Sequence, residues 1–282
     1  RNLHKLYYKD YFKKVDFKKS LDSKLNEKAV LESNRLLTKP VLKSDLPDDK
    51  LEGYADDKFE LQVQYPGLVT GIGIRHEASV KGEFKLGMHF DYTTGLPVIY
   101  GSSVKGVLRA YFKDKYEKEG VDVDAIIADI FDGKDYSDRN TELENRKSKP
   151  MYDRDVFFDA IIVKPNKKGK ILDSDALASH GGDKHDDPFA EPNPIAFVKI
   201  ASGVTLRFRF RLRDTKDGDK VVMTGGDKLM IFRNILTTFG IGAKTNVGYG
   251  QMEVVEDKSL INEESTEEVV DEIRENLETE GV

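Results

Sequence analysis

The chain has 282 residues, and its 45 Lys plus Arg against 51 Asp plus Glu give a formal net charge of −6. With 38% hydrophobic residues it can bury a core, which excludes a disordered protein, and no segment approaches the ~20 apolar residues of a membrane helix. The absence of cysteine excludes disulfides, thiolate catalysis and cysteine zinc sites. We therefore expect a cytoplasmic protein without a membrane partner.

Charge is unevenly distributed along the chain. Residues 253–282 carry 12 carboxylates against Lys258 and Arg274, which leaves 43 basic and 39 acidic residues in 1–252. The body is therefore basic, and the overall negative charge does not exclude a polyanionic partner. We expect residues 256–282 to form a disordered acidic tail, because they contain few large apolar side chains.

Hydrophobic spacing predicts an α+β protein. In residues 1–45, a basic extension, Leu and Tyr recur at helical spacing, so we expect one or two helices there. The later elements run strand, helix, strand, strand, helix, strand, at 59–65, 102–116, 156–163, 204–213, 227–239 and 249–255. In the last helix we expect Asp227 as the N-cap and Gly240 as the C-terminal stop. This order is that of the split βαβ, ferredoxin-like (RRM-like) fold, which we place over 58–255.

Additional segments interrupt the predicted fold. Alternation in 83–91 predicts an extra strand, which would add a hairpin between the first strand and the first helix. A short helix is expected over 121–131. Polar, charge-dense segments at 132–152 and 164–193 are interpreted as inserted loops.

The start of the helix at 102–116 could bind an anion. Gly101, Ser102 and Ser103 offer backbone amides and two hydroxyls at a helix N-terminus, where the helix dipole favours negative charge. Lys105 and Arg109 are four residues apart, about 6 Å along the axis, so they share one helix face. This arrangement could hold consecutive phosphates, although a capped surface helix with solvated Lys and Arg explains the same residues.

The strand at 204–213 carries a row of four arginines: Arg207, Arg209, Arg211 and Arg213. They alternate with apolar residues, so all four guanidinium groups should lie on one face of the strand, about 6–7 Å apart. Four like charges repel one another and must meet carboxylates or an external polyanion. We favour a nucleic-acid backbone, which such arrays commonly contact, over ion pairs with neighbouring Glu and Asp.

A glycine-rich loop, GIGAKTNVGYG, spans 240–250 between the last helix and the last strand. Gly242 and Gly248 permit positive φ and a close approach of the backbone to a ligand, while Lys244 and Thr245 add a charge and a hydroxyl. The Lys-Thr pair resembles a nucleotide-binding P-loop, but that loop requires Gly before Lys and a helix after it. Here Ala243 precedes Lys244 and a strand follows, so we reject nucleotide hydrolysis.

Candidates for catalysis and metal binding are few. The histidines form no triad or HExxH motif, and no acid/base pair emerges. His180 and His185, with the aspartates around them, have residue types that could bind a metal ion, but their glycine-rich surroundings favour a solvated loop. His89 alternates away from the core face of its strand and is expected on the surface. We predict no metal site and no cofactor.

Several segments resemble the RAMP (repeat-associated mysterious protein) family of type III CRISPR systems. These segments are Gly71-Ile72-Gly73, LPVIYGSSVKGVLRAYF at 96–112, PNPIAF at 192–197 and the glycine loop. PNPIAF points to the sixth-subunit family of the type III-B, or Cmr, effector complex. The resemblance covers about residues 59–255 and leaves out the basic extension and the acidic tail. Tyr100 stands where many relatives carry Pro.

The resemblance implies a non-catalytic, RNA-binding subunit at one end of the backbone filament of this antiviral complex. Its implied partners are CRISPR guide RNA, target RNA and other RAMP subunits. The resemblance also implies an RNA-contacting helix and an adjacent glycine loop. The residues that match these two motifs are Ser102, Ser103, Lys105, Arg109, Gly242, Lys244, Thr245 and Gly248. We add the four arginines at 207–213 to the candidate RNA contacts on the basis of periodicity alone. The alternative is a RAMP endoribonuclease that processes guide RNA, for which His76 is the first candidate.

Overall fold

The computed structural model of the chain describes residues 2–41, 46, 54–55, 57–71, 73, 75–179 and 193–255. The predicted acidic tail at 256–282 lies outside these residues, as does the segment from His180 to Asp187. Within the described residues, no helix has the length and apolar character needed to cross a lipid bilayer.

The described residues form five α-helices and ten β-strands. The helices are α1 (Leu3–Lys5), α2 (Lys24–Leu37), α3 (Gly101–Lys115), α4 (Val123–Asp132) and α5 (Gly225–Phe239). A π-helical turn at Leu6–Asp10 continues α1. The strands are β1 (Asp57–Val63), β2 (Val98–Ile99), β3 (Val156–Phe157), β4 (Ala160–Lys164), β5 (Leu172–Ser179), β6 (Asn193–Ile200), β7 (Thr205–Arg211), β8 (Thr215–Asp217), β9 (Lys220–Met223) and β10 (Met252–Val254).

The main sheet has the ferredoxin-like topology that the sequence predicts. Its strand order is β10-β1-β7-β4-β2, and every neighbouring pair is antiparallel. The units β1, α3, β4, β7, α5 and β10 follow one another along the chain, so the four core strands lie in the order fourth, first, third, second. This arrangement confirms the α+β, ferredoxin-like prediction.

Helices α3 and α5 pack on the sheet through the apolar residues of β7. Phe208 and Phe210 of β7 are fully buried, and the ring of Phe210 lies 5.3 Å from that of Phe232 in α5. Phe112 of α3 packs edge-on against the same Phe232 ring at 6.5 Å. The alternation in β7 therefore fixes which face meets the helices and leaves its arginines on the opposite face.

Helix α5 begins one turn earlier than its predicted N-cap. Thr224 is the N-cap, and its hydroxyl accepts a hydrogen bond from the Asp227 amide at 3.1 Å. The Asp227 carboxylate in turn accepts from the Thr224 amide at 2.9 Å. Asp227 is thus the third helical residue of a capping box, and the prediction that it is the N-cap was wrong. Gly240 ends the helix as expected.

The segment 83–91 is not a strand, which corrects the predicted extra hairpin. Phe84 and Met88 are buried, as the alternation requires, but the backbone forms no continuous ladder with a neighbouring strand. The Lys85 amide donates to the Ala196 carbonyl of β6 at 2.9 Å, and other backbone groups bond to tyrosines of the N-terminal segment. The Tyr11 hydroxyl accepts from the Phe84 amide at 3.0 Å, and the Tyr7 hydroxyl donates to the Leu86 carbonyl at 3.0 Å. Periodicity reports which side chains are buried and cannot report what satisfies the backbone.

The predicted loop at 164–193 contains a strand that the sequence did not reveal. Strand β5 pairs with β6 in an uninterrupted antiparallel register from Leu172 opposite Ile200 to Ser179 opposite Asn193. Strand β5 reads LDSDALAS, so polar residues occupy both of its faces and weaken the period-2 signal. Backbone pairing with the more apolar β6 explains why this polar segment is extended.

The N-terminal segment is built into the same core as the sheet. Leu3, Tyr7 and Tyr11 are at most 1% exposed and belong to one apolar cluster with the residues of α3, β7 and α5. This packing positions the segment 83–91 through the tyrosine hydroxyls described above.

Candidate nucleic-acid interface

The N-terminus of α3 already holds a carboxylate. Tyr100 is the N-cap residue, and the Gly101 amide donates to Asp159 Oδ1 at 2.7 Å. Gly101 is tightly packed, because a Cβ there would lie 2.2 Å from the Phe157 carbonyl oxygen. Ser102 is exposed. The phosphate-binding position expected at Gly101 is therefore occupied by the protein itself, and the accessible part of the helix start begins at Ser102.

A basic groove of about 420 Å³ opens beside this helix start. We use this name for the recess that Ser102, Lys105, Arg154 and Arg211 line, with Phe157 among its apolar wall residues. Lys105 Nζ lies 5.8 Å from the centre of the Phe157 ring, which is within reach of a cation–π contact. Three cationic side chains thus line one recess together with the exposed Ser102, an arrangement suited to an anionic ligand.

The Asp155 carboxylate, which also lines the groove, is held by a buried cation. Asp155 Oδ2 lies 2.8 Å from Lys228 Nζ, and both side chains are fully buried. Asp155 Oδ1 also accepts from the Arg213 amide at 2.6 Å. Burial raises the pKa of Asp155 and lowers the pKa of Lys228, and their mutual attraction opposes both shifts. The charge of Lys228 balances that of Asp155, so the net charge of the groove is positive because of Lys105, Arg154 and Arg211.

Arg109 lies outside the basic groove. Its guanidinium forms a two-pronged ion pair with Asp132 at the end of α4, where Nη2 lies 2.9 Å from Oδ2. Lys105 and Arg109 share a helix face, as the spacing requires, yet only Lys105 lines the recess. An RNA phosphate at Arg109 would have to displace Asp132.

The arginine row is divided among different environments. Glu60 of β1 lies opposite Arg207 and accepts from its Nε at 3.1 Å and its Nη2 at 2.7 Å. Arg209 is 7% exposed and donates through Nη2 to the Asp159 carbonyl at 3.2 Å. Arg211 alone of the four lines the basic groove, and the exposed Arg213 donates through Nε to the Tyr152 carbonyl at 3.3 Å. The sequence allowed Arg207 either an ion pair or a nucleic-acid contact, and the structure shows an ion pair with Glu60.

The electrostatics of Glu60 follow from this pairing. Burial alone would raise the pKa of Glu60, but hydrogen bonds from Arg207 and Lys164 bring it below its ordinary value. Glu60 is therefore ionised at neutral pH and holds Arg207 against the sheet.

The glycine loop packs against the protein's own backbone. Gly242 has φ +101°, and a Cβ there would lie 2.4 Å from the Val69 carbonyl oxygen, which accepts from the Ala243 amide at 2.7 Å. A Cβ on Gly71 would meet the Ala243 side chain at 2.3 Å. Gly242, which the sequence predicts to admit a ligand, is thus required by the contact between the loop and the segment at 68–71.

A second recess of about 280 Å³ joins the glycine loop to α3. Ser103 and Val107 line it from the helix, Gly242 from the loop, and His89 from the segment at 83–91. The ring of His89 lies 4.3 Å from that of Tyr100, and burial lowers the pKa of His89. The alternation predicts His89 on the surface, whereas the residue is partly buried here. Lys244, Thr245 and Gly248 line neither this recess nor the basic groove.

His76 is enclosed by the N-terminal aromatic side chains. It is 7% exposed, its ring stacks on that of Tyr7 at 4.2 Å and lies tilted against that of Tyr11 at 3.9 Å, and its Nε2 lies 2.9 Å from the Tyr7 carbonyl oxygen. Burial lowers its pKa. In this position the imidazole packs in the core and does not face a solvent-exposed phosphodiester. Among the residues that the structure describes, no three His, Cys, Asp or Glu side chains are grouped to hold a metal ion.

Comparisons with known proteins agree with the fold and with the resemblance. A family model for the RAMP superfamily matches residues 60–253. The CRISPR system CMR subunit Cmr6 of Saccharolobus solfataricus is 26% identical over 171 residues, which are 61% of this chain and 49% of that protein. The chain thus spans about half the length of this curated relative.

A solved structure shares the fold. One chain of the type III-B Cmr-beta complex bound to cognate target RNA, determined by cryo-EM, superposes with a TM-score of 0.55 at 21% identity. The match covers 86% of this chain and 77% of the other.

Proposed function

Because the chain belongs to the RAMP superfamily, we propose that it is a non-catalytic RNA-binding subunit of a type III-B CRISPR effector complex. It contacts the backbone of the guide RNA or of the guide–target duplex, and its partners are guide RNA, target RNA and other RAMP subunits. The similarity to a Cmr6 subunit and the fold shared with a chain of an RNA-bound Cmr complex support this assignment.

The basic groove is the observation that carries the proposal. Lys105, Arg154 and Arg211 surround an exposed serine at a helix start, and the buried Lys228 compensates the charge of Asp155. Contacts of this type bind phosphates without reading base sequence, since they reach only the backbone. We therefore assign the principal RNA contact to Ser102, Lys105 and Arg211 of the predicted set, and we add Arg154.

The other predicted residues take secondary places in the proposal. Ser103 and Gly242 line the second recess, and Lys244, Thr245 and Gly248 follow it in the glycine loop. Arg213 lies next to the groove, whereas Arg109, Arg207 and Arg209 are engaged with protein groups. We propose that the last three act by holding the surface in shape.

Co-purification from the host tests the function directly. The tagged chain should bring down other RAMP proteins together with RNA that carries CRISPR repeat and spacer sequence. Recovery of the chain without RNA, or with unrelated RNA in proportion to abundance, would contradict the proposal.

The endoribonuclease alternative has its own test. His76, its candidate base, is packed between tyrosine rings in the core. Incubation of the purified chain with CRISPR repeat RNA should leave the RNA intact, with or without divalent metal. Specific cleavage that His76→Ala abolishes would establish the enzyme instead.

A further inference from the structure

Two large apolar side chains stand out from the surface at the edge of the basic groove. Met151 is 79% exposed and Tyr152 is 68% exposed, and both lie on a short 3-10 turn at Met151–Asp153. Contiguous exposed apolar surface is characteristic of contact surfaces, whereas apolar side chains exposed singly are ordinary, so two successive exposed side chains are the feature of interest here. Nothing in the fold requires them, since neither side chain belongs to the core.

The backbone that presents these side chains is fixed on both sides. The Asp153 amide bonds to the Pro150 carbonyl at 3.0 Å, and Arg213 Nε donates to the Tyr152 carbonyl at 3.3 Å. Arg154 Nε donates to the Lys149 carbonyl at 2.9 Å. The turn is therefore held in place while the Met151 and Tyr152 side chains remain available to a partner.

The charges around the turn identify the kind of partner. Met151 lines the basic groove together with Lys105, Arg154 and Arg211. Arg213 supports the turn from the other side. Tyr152 lines the adjoining recess, where Arg213 and Lys216 stand among several aspartates. The turn thus separates a positive groove from an exposed aromatic ring, and a positive groove with a neighbouring aromatic ring is the combination that binds single-stranded nucleic acid.

We propose that Met151 and Tyr152 form a stacking platform for an unpaired base of the RNA whose phosphates lie in the basic groove. The inference rests on the proposed function and deepens it, because it specifies that this surface prefers single-stranded RNA to duplex RNA. A base inside a duplex is already stacked on both faces, so the platform gains contact only with an unpaired or terminal nucleotide. Stacking uses the face of the base and is tolerant of sequence.

Binding of short RNAs tests the platform. Affinity is measured for Tyr152→Ala, for Tyr152→Trp and for a control, Tyr92→Ala, whose side chain is 81% exposed and packs near His4. We expect Tyr152→Ala to weaken binding of single-stranded RNA about 5-fold or more and to change binding of a blunt duplex little. Tyr152→Trp and Tyr92→Ala should bind like the parent chain.

A fluorescent base analogue in the single strand gives a second readout. Its emission should be quenched on binding to the parent chain and to Tyr152→Trp, and less so on binding to Tyr152→Ala. Equal affinity and equal quenching in Tyr152→Ala overturn the platform, as does an equal loss of affinity for duplex and single strand. Weaker binding to another RAMP subunit with unchanged binding to RNA would show that the turn is a protein contact instead.

The Lys105→Glu variant separates the platform from the proposed function. If Lys105→Glu weakens RNA binding and Tyr152→Ala does not, the platform is wrong and the function stands. If the parent chain does not bind RNA, or binds it no more tightly than Lys105→Glu does, the proposed function is wrong and the platform is wrong with it.

Discussion

Asp159 Oδ1 lies 2.7 Å from the backbone nitrogen of Gly101, so a carboxylate of the protein caps the helix that the sequence identifies as its phosphate site. The carboxylate satisfies one amide of the first turn and occupies the positive end of the helix dipole. The same group lies near the exposed Ser102 and opposes the approach of an RNA phosphate. This relationship shifts the anion-binding part of the surface to the adjacent groove.

Replacing Asp159 by Asn should strengthen RNA binding. The amide oxygen can still accept from Gly101, while the removal of one negative charge beside the groove should raise affinity about 2- to 5-fold at low salt. Asp124→Asn, which removes a carboxylate from an exposed pair with Lys113, is the matched control and should have no such effect. Filter binding of the three proteins measures the difference; an unchanged or lower affinity for Asp159→Asn would be evidence that phosphate does not approach this helix start.

Arg109→Ala should affect RNA binding less than Lys105→Ala does. Arg109 is paired with Asp132, whereas Lys105 lines the basic groove. The pair is partly exposed, so its removal should reduce stability only slightly. Titration of both variants with the same RNA checks this ranking. A larger decrease in affinity for Arg109→Ala would indicate that RNA binds the outer face of α3 and not the groove.

Lys228→Met should destabilise the fold strongly. The substitution leaves the buried Asp155 without its cation, and breaking one half of a buried pair costs about 3–5 kcal/mol. Lys113→Met, at an exposed position of α3, should change the free energy of unfolding little. Urea denaturation compares them. A near-parental midpoint for Lys228→Met would mean that Asp155 is not held as an anion by Lys228.

Acid should destabilise the protein through His76. Burial holds the pKa of His76 below its ordinary value of 6.5, so the unfolded chain binds more protons than the folded chain as the pH falls below about 6.5. The contribution is fully present above that pH and is lost as the pH falls toward the lowered pKa of the folded state. Thermal unfolding at about pH 7.5 and about pH 5.5 measures it.

His76→Phe should reduce this pH dependence. His89→Phe, the control, should do so less, because His89 is more exposed although burial lowers its pKa as well. If His76→Phe keeps the full difference between the two pH values, the imidazole is not the group responsible.

The order of the fold could be predicted because its core strands have a clear apolar alternation. Leu206, Phe208 and Phe210 alternate with arginines, and each helix carries apolar residues at helical spacing. The hairpin of β5 and β6 was missed because Asp173, Ser174 and Asp175 give no alternation, and their strand exists through pairing with β6. Local pattern therefore predicts the elements that bury apolar faces better than those held by backbone pairing.

The site was only partly predictable for a related reason. Periodicity correctly placed the arginines of β7 on the face opposite its core phenylalanines, but it could not show that Glu60 lies opposite Arg207, because that depends on strand register. Arg154 lies between the predicted loop at 132–152 and the predicted strand at 156–163, where no pattern distinguishes it from other charged residues. Its place in the groove follows from the tertiary fold alone.

The salt dependence of RNA binding by Lys105→Glu decides whether RNA phosphates lie in the basic groove. Lys113 lies on the same helix, about 12 Å further along its axis, so Lys113→Glu makes the same charge change outside the groove. For single-stranded RNA we predict that Lys105→Glu lowers affinity and makes the log–log salt slope shallower by about 0.7 for each phosphate that the variant fails to neutralise. Lys113→Glu should keep the parental slope. Identical affinities and slopes for the two variants would contradict an RNA-binding groove beside α3.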